Sequence, residues 1–278
     1  LDMCRDNLEQ VLTDPLQLVR GQWDRQQYPS ICYCLYHILI GLYLLIWIVI
    51  SMVLQGIDKW FIYVTDLGIL LITIDCLLQG YLSYQARRDW FTGKRFLKVK
   101  IVHKVSFIIE SISSPVAILV TIVFWSILIN VDELQQVEIP KDKIAKVKLM
   151  VASSIHFHAL NSVYVVTNTM LTARPIILVN FLYTLLAGVI YIIFTIFYWL
   201  AGGTNNWGNS YIYPVLDWNN PKIVAKFIPA ALASTFAAYF ALWGLSKLRI
   251  YIHSRIRGPI VIERTTDPDR PDYGATTL

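Results

Sequence analysis

The chain has 278 residues, of which 56% are hydrophobic and 15% charged, with 16 Tyr, nine Trp and a formal net charge of +5. Soluble domains carry about 25% charged residues. With a mean hydropathy of +0.52, this balance excludes an ordinary soluble enzyme domain. The chain also lacks a Gly-rich phosphate loop and a basic face with interleaved aromatics, so the positive charge does not read as nucleic-acid binding.

Residues 1–30 carry charges of both signs (Asp2, Arg5, Asp6, Glu9, Asp14, Arg20, Asp24, Arg25) and lack the basic-then-apolar pattern of a cleaved signal. The first span is therefore expected to remain as an anchor. Six apolar stretches follow, Ile31–Leu54, Phe61–Leu82, Val105–Asn130, Leu149–Leu171, Ile176–Leu200 and Ile223–Leu245. Each reaches the roughly 20 residues that a helix needs to cross a bilayer. The expected fold is all-α, a polytopic membrane protein built as a six-transmembrane-helix bundle over 31–250, between a cytoplasmic N-terminal segment and a cytoplasmic tail over 251–278.

Lysine and arginine set the orientation, because short basic loops stay cytoplasmic. Arg5, Arg20, Arg25, the cluster from Arg87 to Lys104, Arg174, and the basic residues from Lys247 onward fall on one side of six spans. Both termini are accordingly expected in the cytoplasm. The opposite loop Asp132–Lys148 offsets its lysines with Asp132, Glu133, Glu138 and Asp142. From Glu263 onward the Pro, Asp and Thr content predicts disorder. The ending Thr276-Thr277-Leu278 offers a short ligand for a PDZ-type sheet edge. Membrane lipids are the other expected partners. The span lengths suit plasma membrane and endomembrane alike. Cys4, Cys32, Cys34 and Cys76 show no metal spacing, so neither disulfide, metal nor cofactor is expected.

Polar residues inside spans carry the functional signal, because hydrocarbon satisfies no polar group. In span four, Ser154, His158, Asn161, Ser162, Thr169 and Thr172 fall within about 60° of one helical direction at 100° per residue. That stripe should face the bundle interior. His156 points the other way on this count. The two imidazoles of Ile155-His156-Phe157-His158 then diverge by about 200°, which does not suit one metal ion. Span two opens with Tyr63-Val64-Thr65-Asp66 on the non-cytoplasmic side and carries Thr73 and Asp75 deeper in. Thr65 and His158 lie in the same leaflet. On the same side, Ala201–Pro221, rich in Gly, Asn and aromatics, reads as an interfacial aromatic belt or as a lid over a cavity.

Several motifs together carry a family resemblance. These are Gly21-Gln22-Trp23, Tyr63-Val64-Thr65, His158-Ala159-Leu160-Asn161-Ser162, Arg174-Pro175 and Tyr213-Pro214-Val215-Leu216-Asp217-Trp218. Over nearly its whole length the chain resembles the rolling stone proteins of insects, which are associated with myoblast fusion. That group belongs with the androgen-induced membrane hydrolases, which share the six-span plan and cleave fatty acid esters of hydroxy fatty acids. The resemblance implies Thr65 as nucleophile and His158 as its base, with Asn161 or nearby hydroxyls steadying the oxyanion and a lipid ester as substrate. A register shifted by two residues puts Tyr63 in the nucleophile's place. Asn168 stands where the hydrolases carry a glutamate. A non-enzymatic adhesion or scaffold protein, and more weakly a transporter lined by Asp66 and Asp75, are the competing readings.

Overall fold

The computed structural model describes residues 15–94, 99–128 and 144–257. Residues 129–143 and 258–278, which hold most of the expected acidic loop and the PDZ-type ending, lie outside the described residues. The main helices are α1 (Ile31–Gln55), the short α2 (Ile57–Trp60), α3 (Val64–Phe91), α4 (Ile101–Val123), α5 (Ile144–Ile155), α6 (Asn161–Leu171), α7 (Phe181–Leu200) and α8 (Pro221–Arg257). No named strand occurs among the described residues; Gly21 and Thr172 form an isolated antiparallel bridge.

Five helices are long and apolar enough to cross a membrane: Ile31–Gln55, Val64–Phe91, Ile101–Ser126, Leu178–Leu200 and Pro221–Arg257. The fourth stretch of the sequence is helical from Ile144 to Leu171, but a π-helical turn at His156–Leu160 divides it into segments of 12, 5 and 11 residues. A second π turn, Phe124–Leu128, continues α4.

The outward faces are apolar, with Leu39, Ile46 and Val53 of α1 and Leu182, Leu186 and Ile190 of α7 all exposed. This is the pattern of a bundle solvated by lipid. α1 packs along α3, α3 along α4, and α4 carries both α7 and α8. Small residues bring α1 and α3 close: a Cβ at Gly80 would sit 2.5 Å from Ile38 Cγ1, and one at Gly41 2.7 Å from Leu77 Cδ2. Ser30 starts α1 by accepting from the Tyr33 N–H (3.1 Å), and Gly56, at φ 89°, ends it.

Backbone groups freed inside the bundle find partners on neighbouring elements. Pro115 lacks the N–H that would bond the Ser111 carbonyl, and the Thr184 hydroxyl of α7 donates to that carbonyl instead (2.7 Å). The C-terminal carbonyls of α6 are covered in the same way. Gln22 N–H donates to Leu171 (2.7 Å), Trp23 Nε1 to Met170 (2.8 Å) and Arg249 Nη1 to Thr169 (2.7 Å). The N-terminal segment thereby docks into the bundle, where Leu16, Leu18 and Val19 pack with Leu82, Ala86 and Ile177.

Candidate functional site

A cavity of about 340 Å3 lies among α3, α4, α7, α8 and the π turn between α5 and α6. Its wall is almost wholly apolar, with a few polar exceptions. Thr65 enters from the first turn of α3, His158 from the π turn, Tyr213 from the loop before α8, and Tyr191, Thr184 and Thr235 from α7 and α8. The sequence separates Thr65 from His158 by two helices, and the fold brings both to one chamber. Tyr63, the alternative nucleophile position, is not among the lining residues. Its hydroxyl instead accepts the Asn206 N–H (3.3 Å).

The π turn aims His158. A π turn adds a residue to the helical repeat and is frequent at functional sites. The imidazole lies flat on Phe124, with centroids 3.7 Å apart and planes 1° from parallel. Trp125 Nε1 donates to the His158 carbonyl (3.1 Å), so the two π turns are tied by backbone as well as ring. His158 Nδ1 is buried without a hydrogen-bond partner, and no direct bond joins it to Thr65. His156 meets a different neighbour from His158: it stacks on Trp47 of α1 at 3.7 Å, and its Nδ1 pairs with the Ala152 carbonyl (2.6 Å).

Tyr213 is the polar group nearest in kind to an oxyanion donor. Its ring meets Tyr63 edge-on at 5.7 Å, and its buried hydroxyl completes no hydrogen bond. Burial pushes the Tyr213 phenol above its ordinary proton affinity, so the phenol keeps its proton. Asn161, expected near the oxyanion, is buried outside the cavity lining. The loop over the site is fixed rather than loose. Lys59 Nζ donates to Thr204 Oγ1 (3.0 Å) and the Asn205 carbonyl (2.8 Å), and Tyr198 donates to the Thr204 carbonyl (2.9 Å).

A second polar centre lies apart from the cavity. Arg174, 1% exposed, pairs with Glu110 (2.8 Å) and Asp75 (3.4 Å), and its Nη2 donates to Ser106 Oγ (2.7 Å), which in turn bonds Asp75. Its Nε holds the Leu18 carbonyl (3.0 Å). Asn168 Nδ2 reaches the same Glu110 (3.3 Å). Asp75 is thus held within the protein by an arginine, and neither it nor Asp66 lines the cavity. Among the described residues no cluster of His, Cys, Asp and Glu is placed to hold a metal ion.

Residues 2–258 match the family described as Protein rolling stone. The chain belongs to the rolling stone family. Protein rolling stone of Drosophila melanogaster is 27% identical over 239 residues, covering 83% of this chain and 82% of the fly protein. No solved structure matches. In this rolling stone protein the Tyr213-Pro214 motif delivers one of the cavity's two phenols, the Tyr63-Val64-Thr65 motif one of its threonine hydroxyls, and Arg174-Pro175 the buried ion pairs.

Proposed function

We propose that this rolling stone protein is a six-span membrane protein with cytoplasmic termini that hydrolyses a lipid ester inside the bilayer, serving membrane lipid handling of the kind that cell fusion requires. The observation that carries the reading is the convergence of Thr65 and His158 on one apolar cavity. The helical run Ile144–Leu171 supplies the sixth span.

His158 takes the proton of the Thr65 hydroxyl as Oγ1 attacks the ester carbonyl. The Tyr213 O–H donates to the carbonyl oxygen as it becomes negative. Collapse of the tetrahedral intermediate breaks the ester C–O bond, the leaving alkoxide takes the proton from His158, and an acyl-threonine remains. Water, deprotonated by the same imidazole, then releases the fatty acid and restores Thr65. Free enzymes often hold such groups slightly apart and close the gap only with substrate bound.

The missing Thr65–His158 bond and the flat Phe124 stack favour one other reading, in which His158 is packing glue and the protein works through partner contacts. Labelling with a fluorophosphonate probe separates the two. Modification of the wild type, lost in Thr65→Ala and in His158→Ala with melting temperatures unchanged, supports the hydrolase. An unlabelled wild type that is folded overturns it.

A further inference from the structure

The geometry points to a lateral portal between α7 and α8 through which a single acyl chain of a bilayer lipid enters the cavity. α7 and α8 both pack on α4; near the start of α7 they meet through Phe181, whose ring lies 5.4 Å from Phe236 and 5.6 Å from Tyr239, and beyond that contact the cavity separates them and leaves a gap. Most of the cavity lining is buried or half-buried. The lining residues that also reach the outer surface are Gly188 and Val189 on α7 and Leu232 on α8, which flank that gap. Val189 is 44% and Leu232 46% exposed, on faces shared with Leu186, Ile193 and Phe236. These are surfaces of membrane-crossing helices, so hydrocarbon covers them.

Among the described residues both ends of the cavity are packed. Above the site, Lys59, Thr204 and Tyr198 fasten the loop, and Asn206 bonds Tyr63 beside the first turn of α3. At the opposite end Phe181 packs edge-on against Tyr239 (5.6 Å), whose hydroxyl donates to the Ile177 carbonyl (2.8 Å). A chamber packed at both ends, whose exposed lining residues lie on its flank, is filled from the bilayer. Its volume of about 340 Å3 is near the lower end of the range for small-molecule sites. One chain therefore enters while the second chain and headgroup of a two-chain lipid stay outside. Gly188 keeps the gap wide, since a Cβ built there meets nothing within 4 Å.

The portal rests on the proposed hydrolase reading only for the chemistry at its inner end, and the test keeps the two apart. The full-length protein is reconstituted in phosphatidylcholine vesicles containing phosphatidylcholine with a diazirine on its sn-2 chain. After irradiation, adducts are mapped by mass spectrometry. Adducts on Leu185, Ile192 and Ile228 inside the cavity are expected, kept in Thr65→Ala and in the outward-facing Leu186→Trp, and lost in Gly188→Trp. Ala231→Trp fills the gap from the other helix and should give the same loss if Gly188→Trp fails to fold. Adducts confined to outer faces, or interior adducts indifferent to both blocking variants, overturn the portal. Interior adducts together with an absence of fluorophosphonate labelling leave the portal standing and remove the hydrolase.

Discussion

His158 rests face to face on Phe124 at 3.7 Å, and each residue sits in a π-helical turn. Two local departures from α geometry are thus paired with each other. A π turn on one helix alone would rotate its side chains without giving them a seat. Here the turn ending α4 supplies the ring, and the turn between α5 and α6 supplies the imidazole.

Replacing Phe124 with leucine tests whether this stack positions the base. The aromatic pair is worth about 1 kcal/mol beyond the area it buries, and leucine keeps most of the volume. A loss of that size in holding His158 lowers the rate of fluorophosphonate labelling about fivefold. The melting temperature should change little, because Phe124 is only half-buried. Unchanged labelling would show that the stack does not orient the base.

The phenol of Tyr213 gives a second, separable effect. Tyr213→Phe keeps the edge-on packing with Tyr63 and removes only a hydroxyl that completes no hydrogen bond, so the fold should be at least as stable. If the hydroxyl stabilises the oxyanion, labelling slows by about 100-fold, the scale seen when one oxyanion donor is removed. A labelling rate equal to that of wild type removes Tyr213 from the mechanism.

Arg174 is a stability prediction. Removing one member of a buried ion pair strands its partners, at a cost of about 3–5 kcal/mol. Arg174→Met leaves Asp75 and Glu110 facing each other without a cation and frees the Leu18 carbonyl. Its thermal transition in detergent should fall well below that of Asp75→Asn, which keeps the Arg174–Glu110 pair. Equal transitions for the two variants would show that the arginine does not bind the centre together.

Much of the fold is legible in the sequence because hydropathy over about 20 residues is a direct physical requirement of the bilayer. Family membership was equally legible, from motifs spread along the chain. The polar stripe marked side chains that are buried, among them Asn161, Thr169 and Thr172. That His156 packs on Trp47 depends on α1 running beside this stretch, and a residue's own helical direction does not name the neighbouring helix. Arg174 and Arg249 counted as flanking cations, yet they are 1% and 0% exposed, since a sequence names a charge without naming its partner. Glu110, inside the third apolar stretch, was the available sign that a buried cation must exist. The meeting of Thr65 with Tyr213 depends on how the loop before α8 folds back, and no local pattern encodes that.

The contact between α1 and α3 yields the last expectation. A methyl group at Gly80 would meet Ile38 Cγ1 at 2.5 Å, and behind it the Ile38 nitrogen at 3.2 Å and the Cys34 carbonyl at 3.3 Å. The side chain can rotate away, but the backbone of α1 cannot yield without moving the helix. Gly80→Ala should therefore cost about 1–3 kcal/mol, the usual penalty of overpacking, read as a lowered melting temperature in detergent. Gly188→Ala meets open space and should leave that temperature unchanged, so the pair separates helix contact from a general intolerance of larger residues. Equal stability of the two variants would mean that α1 and α3 are not held by close approach at Gly80.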